Sequence, residues 1–343
     1  MAEKENTEYL QSREAKKSIK PLLNGRPAIW LRQLKHSVTT ASGVKKIIVK
    51  IAMYMLLLGL AFVFLYPFLY MIITSLKSNS DLNNLAVQWI PTELKFENYF
   101  IAADLLKVGR YARNSVIVTV CASLGHVLSC SFIGYGFARY NFPFKKFLFA
   151  CVILAFIVPV QTIIIPLYLT YSRLGWLDTY IPLIIPTFFG FGLKGALYIF
   201  IFRQFYLTLP RDLENAARID GCGFFKTYWK IVFPLAQSTL VVALVLSVVW
   251  HWNDFYEPAI YINKAQLGFL PPRIKSIVSI VNAPPESLFE MLANLGLQEG
   301  EDTLNNSVIM AGAAIICAPI LIFFAFAQRK FMQGIERTGI TGE

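Results

Sequence analysis

The chain has 343 residues, of which 56% are apolar, 15% aromatic and 15% charged, and its mean hydropathy is +0.52. Soluble domains carry about a quarter charged residues, so this composition excludes an ordinary soluble protein. A net charge of +11 alone would suggest nucleic-acid binding, but the apolar excess argues against that function. Five cysteines in a chain of this length also exclude a disulfide scaffold.

Six nearly uncharged segments predict membrane-spanning helices. They cover residues 51–73, 116–138, 147–169, 181–202, 235–253 and 307–327. A helix needs about 20 apolar residues to cross a hydrocarbon core that is ~30 Å thick, and each segment meets this length. His126, Lys194 and His251 are the only Lys, Arg, Asp, Glu or His residues within these six segments. The sequence therefore predicts an all-α, polytopic membrane protein with six transmembrane helices.

The basic residues predict the orientation of these helices. With the N-terminus inside, the cytoplasmic segments hold 22 Lys and Arg residues and the outer segments hold 9. This split obeys the positive-inside rule and places both termini in the cytoplasm. Residues 1–50 then form a basic cytoplasmic extension, for which a mobile topogenic tail is the favoured interpretation and contact with anionic lipid the alternative. No cleavable signal peptide is visible, because the apolar run that starts at Ile51 is too long for one.

The cytoplasmic loop at residues 203–234 is long and polar, and it predicts a short helix. Pro210 interrupts the helix before it, and Asp212 is expected to cap a new helix over residues 213–220. The sequence from Gly221 to Gly223 is expected to end that helix. Most connecting loops are much shorter, so a loop of this length indicates a function of its own.

This loop resembles the EAA loop of ABC importer permeases. That pattern runs Glu-Ala-Ala, three residues, Gly, nine residues, Ile, one residue and Leu-Pro, and the matching residues are Ala216, Ala217, Gly221, Ile231 and Pro234. Asn215 stands where Glu is usual, and Phe233 stands where Leu is usual. Glu214 does not simply replace the missing acid, because one helical step rotates a side chain by about 100°.

Further motifs resemble carbohydrate permeases of the MalG type. They are Thr74-Ser75-Leu76-Lys77, Phe96-Glu97-Asn98-Tyr99, Arg113-Asn114-Ser115, Gly134-Tyr135-Gly136-Phe137-Ala138-Arg139, Pro159-Val160-Gln161 and Trp252-Asn253-Asp254-Phe255. The resemblance covers residues 51–334. It implies the type I ABC importer permease fold, with a permease core at 105–328 and an extracytoplasmic loop at 254–306.

The resemblance also implies partners and a bacterial-type plasma membrane. The chain would form a heterodimer with a second permease subunit, and two ATPase subunits would drive transport. An extracytoplasmic solute-binding protein would deliver the substrate, an oligosaccharide or related carbohydrate. ATP and Mg²⁺ would bind to the ATPase, since this chain has no phosphate-binding loop, catalytic grouping, cofactor motif or metal motif. Coupling to the ATPase is implied for residues 211–223 and their continuation, namely Glu214, Asn215, Ala216, Ala217, Asp220, Gly221, Ile231 and Pro234.

Polar and aromatic residues in or beside the spans are candidates to line a substrate pathway. They are Gln161, Lys194, His251, Trp252 and Asn253. A charge at Lys194 costs about 2.5–3.5 kcal/mol on insertion scales, so it should face water or pair with Asp254 or Glu257. Interhelical packing is the alternative role for each of the others. The long outer loop, with a helix expected at 287–297, suits a platform for the solute-binding protein.

Two other functions remain open. The EAA-type loop is shared with ABC importers of peptides, amino acids or ions, so only the MalG-type motifs favour a carbohydrate. A secondary transporter driven by an ion gradient would need carboxylates in the membrane, and the six predicted spans contain none.

Overall fold

A computed structural model of the protein describes residues 41–84, 86–192, 194–284 and 304–339. Every regular element in these ranges is helical, which confirms the predicted all-α class. The chain divides into two compact units, Met1–Leu69 and Tyr70–Glu343, and the first contains most of the first long helix. Most of the basic extension and the helix expected at 287–297 lie outside the described residues.

The helices are numbered here in chain order. They are α1 (Ala41–Ser75), α2 (Asn79–Asn83), α3 (Glu97–Leu106), α4 (Val108–Arg139), α5 (Lys145–Ile157), α6 (Val160–Arg173), α7 (Ile181–Ile184), α8 (Gly195–Thr208), α9 (Asp212–Ile219), α10 (Phe224–Thr227), α11 (Phe233–Leu235), α12 (Gln237–Asn253), α13 (Tyr256–Tyr261), α14 (Ile274–Val281) and α15 (Asn306–Gly339). One π-helical turn, Tyr228–Val232, joins α10 to α11, and short 3₁₀ turns lie at Ile185–Phe189, Ala265–Leu267 and Pro271–Arg273.

Three described helices, within α1, α4 and α15, are long and apolar enough to cross a membrane. Two bent pairs bring the number to as many as five if each pair is one span. They are α5 with α6, bent by 101°, and the segment Phe224–Leu235 with α12, bent by 78°. The structure therefore agrees with a polytopic membrane protein and does not confirm the count of six.

The third predicted span, at 147–169, is not one straight helix. Val158 and Pro159 have extended backbone with ψ of 122° and 135°, and this break separates α5 from α6. A residue before proline is driven out of the helical region by the proline ring, and proline itself lacks the backbone N–H that a helix needs. Both halves are equally apolar, so hydropathy alone does not reveal the bend.

The fourth predicted span, at 181–202, is also broken. Helix α7 continues into the 3₁₀ turn Ile185–Phe189, and α8 begins only at Gly195. Gly190, Gly192 and Lys194 have φ of 70°, 109° and 63°, which is incompatible with a right-handed helix. Non-helical backbone at membrane depth is tolerated where it lies against protein or lines a wet cavity. The break therefore marks a candidate site.

Helix α4 is the central element, and it packs against α8 and α12. Gly134 permits the close approach of α8, because a Cβ at this position would lie 2.7 Å from the Cβ of Phe202. Near the same end of α4, the Ser131 hydroxyl shares a hydrogen bond of 2.6 Å with Tyr206 and accepts one of 2.9 Å from Tyr228. These buried contacts hold α4, α8 and the π-helical turn together.

Asparagines from the permease-like motifs bind backbone carbonyls at the other end of α4. Asn98 Nδ2 donates to the carbonyls of Ser75 and Lys77, at 2.9 and 3.0 Å. Asn114 Nδ2 donates to the carbonyl of Gly268 at 2.9 Å, which fixes the loop after α13 on α4. These motif residues thus hold neighbouring backbone segments in place.

Candidate coupling loop and substrate cavity

The loop between α8 and α12 carries helix α9 within the range predicted for a coupling helix. Arg211 is the N-cap residue, and no side chain caps this end. The predicted Asp212 cap is therefore wrong, because Asp212 is itself the first helical residue. Its carboxylate still lies in the first turn, where a negative charge interacts favourably with the positive end of the helix dipole.

Helix α9 ends in a Schellman motif at Gly221. The N–H of Gly221 donates to the Arg218 carbonyl at 3.0 Å, and the N–H of Cys222 donates to the Ala217 carbonyl at 2.9 Å. Gly221 has a φ of 73°, a conformation that glycine adopts at little cost. The glycine that the sequence comparison aligned with the EAA pattern thus provides the sharp exit from the helix.

Helix α9 has two distinct faces. Glu214 and Ala217 are buried against the bundle, whereas Asn215, Ala216 and Ile219 are exposed. Ile219 is 86% exposed, which is unusual for a large apolar side chain. Of the two alanines implied in ATPase coupling, Ala217 thus lies on the buried face, where its short side chain lets α9 lie close to the bundle.

The buried face of α9 is fixed by an ion pair between Glu214 and Arg139. Arg139 Nε lies 2.6 Å from Glu214 Oε1, and the two side chains are 5% and 7% exposed for Arg139 and Glu214 respectively. The hydroxyl of Tyr135 donates to Glu214 Oε2 at 3.2 Å. Arg139 Nη2 also donates to the Leu209 carbonyl at 2.6 Å, just before α9. Glu214 thus points away from any partner that contacts the exposed face.

The remaining predicted coupling residues have different positions. Asp220 and Gly221 are exposed at the end of α9. Ile231 is partly buried in the π-helical turn, and Pro234 is exposed in α11. Ile231 and Pro234 therefore belong to the bent connection into α12.

A cavity of about 620 Å³ lies among α5, α6, the broken segment before α8, and the end of α12. The polar and aromatic side chains that line it include Gln161, Thr187, Lys194, Trp250, His251 and Glu257. Ligand sites in proteins have volumes of about 300–1,000 Å³, so the cavity has the size of a small-molecule site.

Two of the five predicted pathway residues do not line this cavity. Trp252 is buried on another side of α12, where its indole N–H donates to the Ile316 carbonyl at 3.2 Å. Asn253 is exposed and donates to the Val249 carbonyl within its own helix. The tryptophan of α12 that does line the cavity is Trp250. Side chains two positions apart on a helix differ by about 200° in direction. Trp250 and Trp252 therefore face different sides of α12, and the sequence alone does not show which of them lines the cavity.

Lys194 lies at the start of α8, and its ammonium group faces aromatic rings. Its Nζ is 4.7 Å from the ring centroid of Trp250 and 5.7 Å from that of Phe156, distances at which cation–π attraction operates. The ion pairs within the described ranges are Glu93–Lys95 and Arg139–Glu214. The expected pairing of Lys194 with Asp254 or Glu257 is thus absent from this part of the chain, and Lys194 lines the cavity instead.

His251 contacts a second histidine that the sequence analysis had not assigned to the pathway. His251 Nε2 lies 3.1 Å from His126 Nδ1, and the two rings stack with centroids 5.1 Å apart. A hydrogen bond at this distance requires one imidazole to donate and the other to accept. His126 is fully buried in α4, so this contact joins the central helix to the wall of the cavity.

Two carboxyl groups follow α12 and have raised pKa values. Burial raises the pKa of Asp254 to about 6, and burial together with the nearby Asp254 raises the pKa of Glu257 to about 8. The folded protein therefore binds the Glu257 proton more tightly than the unfolded chain does. The stability that comes from this proton is present below the ordinary glutamate pKa and is lost as the pH rises toward 8.

Replacing Glu257 by glutamine is expected to reduce the loss of stability between pH 5 and pH 8. Glutamine carries no charge at either pH, so the cost of burying an ionised carboxylate disappears. The measurement is the thermal unfolding midpoint of the purified protein at both pH values. Glu93→Gln, at an exposed position, is the control. Its unfolding midpoint should change between pH 5 and pH 8 by as much as that of the wild type. An identical pH slope in Glu257→Gln and wild type would contradict this assignment.

The fold and these two features define a class of protein before any relative is considered: an all-helical membrane subunit with broken spans, an internal cavity and an exposed loop helix. A solved structure has the same fold. It is described as a bacterial ABC transporter involved in the import of the acidic polysaccharide alginate. The TM-score is 0.69 at 20% identity, and the match covers 84% of this chain and 98% of that chain.

The family model described as "Binding-protein-dependent transport system inner membrane component" matches residues 131–337. The chain belongs to this family, which confirms the resemblance to ABC importer permeases. As such a permease it is a membrane component, and its family implies an ATPase and a solute-binding protein as partners.

Curated relatives match most of the chain. The arabinooligosaccharides transport system permease protein AraQ of Halalkalibacterium halodurans is 26% identical, over 82% of this chain and 93% of that protein. A probable starch degradation products transport system permease protein, AmyC of Thermoanaerobacterium thermosulfurigenes, is 29% identical over 80% and 91%. A probable ABC transporter permease protein of Pyrococcus horikoshii is 30% identical over 79% and 90%.

Proposed function

We propose that this chain is the MalG-type permease subunit of an ATP-driven importer that takes up a carbohydrate, an oligosaccharide. It forms a heterodimer with a second permease subunit, and a solute-binding protein delivers the substrate to the outer face. Two ATPase subunits bind ATP and Mg²⁺, and this chain performs no catalysis itself. The observation that carries the proposal is the exposed face of α9, which presents Asn215, Ala216 and Ile219 beside a glycine turn.

The cavity supports a carbohydrate as the substrate. The ring of Trp250 provides an apolar surface, and Gln161, Thr187 and Glu257 provide hydrogen-bonding groups around it. Ligand sites typically combine apolar walls with a few such polar groups that set the orientation. The names of two relatives, for arabinooligosaccharides and for starch degradation products, favour the same class of substrate.

The orientation of the chain follows from its charge distribution. The segments predicted as cytoplasmic hold 22 basic residues and those predicted as outer hold 9, which supports an orientation with α9 and both termini in the cytoplasm of a bacterial-type cell. In this orientation α9 faces the ATPase, and the loop at 254–306 faces the solute-binding protein.

Uptake by reconstituted vesicles tests the proposed function. The chain is purified with its partner permease and ATPase and placed in liposomes that contain ATP, with the binding protein and radiolabelled oligosaccharides outside. We expect uptake that requires both ATP and the binding protein and that persists when ionophores remove proton and sodium gradients. Uptake that stops with the ionophores would show a secondary transporter. ATP-driven uptake of a peptide, an amino acid or an ion, with no tested carbohydrate carried, would contradict the substrate class.

A further inference from the structure

The ion pair between Arg139 and Glu214 joins two elements that are distant in sequence. Arg139 is the last residue of α4, and Glu214 lies in the first turn of α9. Both side chains are almost completely removed from solvent. The contact therefore attaches the loop helix directly to the central helix of the bundle.

Several polar contacts fix the geometry of this attachment. Glu214 uses both carboxylate oxygens, one toward Arg139 Nε and one toward the Tyr135 hydroxyl. The Arg139 guanidinium also binds the Leu209 carbonyl, which lies on the segment that enters α9. The hydrogen bonds from Tyr135 to Glu214 and from Arg139 to Leu209 each involve a charged group, and such bonds define distance and direction more strictly than apolar contacts.

Stability alone is a poor explanation for a buried ion pair. Removing two charges from water is costly, and well-packed apolar residues of similar volume are often as stabilising or more so. The best-attested use of a buried pair is to fix the register of two elements. In this protein the ion pair fixes the position of α9 relative to α4.

Helix α4 leads from this contact to the wall of the cavity. His126 lies thirteen residues before Arg139 on the same helix, a distance of roughly 20 Å along the axis. Its imidazole contacts His251, which lines the cavity. One continuous helix thus has the ion pair at one end and a cavity contact farther along.

We propose that Glu214 and Arg139 are positioning residues that transmit movement of α9 to α4 and thereby to the cavity. This inference rests on the proposed function, in which the ATPase moves α9. The exposed face of the helix, with Asn215 and Ile219, contacts the ATPase, and the buried face, with Glu214, contacts the span. Docking and transmission therefore use opposite faces of one short helix.

The paired variant Arg139→Met/Glu214→Leu tests the inference. It leaves no unpaired charge in the bundle, so the folded complex is expected to form, whereas Glu214→Leu alone would strand a buried guanidinium. We expect wild-type recovery of the ATPase with the permease and an ATP hydrolysis rate close to wild type. The amount of substrate taken up per ATP hydrolysed is expected to fall about tenfold.

Two further variants complete the series. Arg139→Lys keeps the charge but loses the planar fork that binds two partners, so an intermediate ratio of substrate to ATP is expected. Glu93→Gln changes an exposed carboxylate that lies outside α9 and should keep the wild-type ratio. A purely structural role would lower the amount of folded complex and leave this ratio unchanged, and that result, or a wild-type ratio in the paired variant, would overturn the inference.

A distance measurement separates this inference from the proposed function. Spin labels at Arg218→Cys, on the side of α9 away from the docking face, and at Asn141→Cys, in a background without the native cysteines, report the separation of α9 from the end of α4. We expect this distance to be the same in nucleotide-free and ATP-bound wild-type complex and to differ between the two states in the paired variant. A distance that changes with ATP in the wild type would overturn the inference even if uptake is normal. Absence of ATP-driven uptake by the wild type would instead contradict the proposed function.

Discussion

Replacing Ile219 by aspartate is expected to release the ATPase from the chain while the chain remains folded in the membrane. Ile219 is 86% exposed at the end of α9, so the change disturbs no packing within the chain. In the assembled importer the same side chain would be buried against the ATPase. An apolar anchor at the centre of an interface contributes about 2 kcal/mol or more, and a buried, unpaired carboxylate adds a further cost.

The affinity for the ATPase should therefore fall about thirtyfold or more. The measurement is the binding of purified ATPase to the detergent-solubilised permease complex, with membrane insertion checked by the yield of folded protein. Ile219→Leu keeps an apolar side chain of the same volume and should bind as the wild type does. Wild-type affinity for the aspartate variant would exclude the exposed face of α9 as the contact.

Replacing Lys194 by methionine is expected to impair transport without impairing insertion. Removing an intramembrane charge relieves a cost of about 2.5–3.5 kcal/mol, so the variant should fold at least as well as the wild type. The ammonium lines the cavity against Trp250, where it can donate hydrogen bonds to substrate hydroxyls. Hydrogen bonds to a charged group contribute about 1.5–3 kcal/mol, which corresponds to a loss of roughly ten- to a hundredfold in kcat/KM for uptake.

The conservative variant Lys194→Arg separates charge from shape. It keeps a cation of greater length, so uptake between that of wild type and that of Lys194→Met is expected. The measurement is the dependence of the initial uptake rate on substrate concentration in vesicles with matched amounts of transporter. If Lys194→Met carries every tested carbohydrate at the wild-type rate, the cavity around Lys194 is not the substrate pathway.

The long spans could be predicted from the sequence, but it did not show which of their prolines and glycines end a helix: Pro159 does, whereas Pro166 and Pro319 lie inside helices. Helices α4 and α15 follow from uncharged runs of sufficient length, because lipid requires such runs whatever the packing. The bends at Pro159 and at Gly190–Lys194 leave hydropathy unchanged, since the segments on either side are equally apolar. Prolines and glycines indicated that breaks occur, and the backbone angles show which of them end a helix.

The two candidate sites were predictable to different degrees. Pro210 and Gly221 delimit α9 in the sequence, but which face of α9 is buried depends on residues far along the chain. Arg139 and Glu214 are separated by 75 positions, so neither local pattern reveals their contact. One signal was present: Glu214 and Ala217 are three residues apart, which places them on one face of a helix. An acid on a buried face requires a partner such as arginine.

The cavity was less predictable than the loop helix. Its walls come from α5, α6, α8 and α12, and the direction of each side chain depends on where the bends fall. Gln161, Lys194 and His251 line it as expected, whereas Trp252 belongs to the packing against α15.

Photo-crosslinking from position 219 tests most directly whether α9 is the contact through which ATP hydrolysis acts. A benzophenone amino acid is introduced at Ile219 and, as a control, at Phe326, which is 84% exposed within α15. In cells that express the complete importer, irradiation is expected to join position 219 to the ATPase and to leave position 326 without an ATPase adduct. A crosslink from position 219 to the extracytoplasmic binding protein, or an assembled and active importer that gives no ATPase adduct from this position, would contradict the proposed coupling.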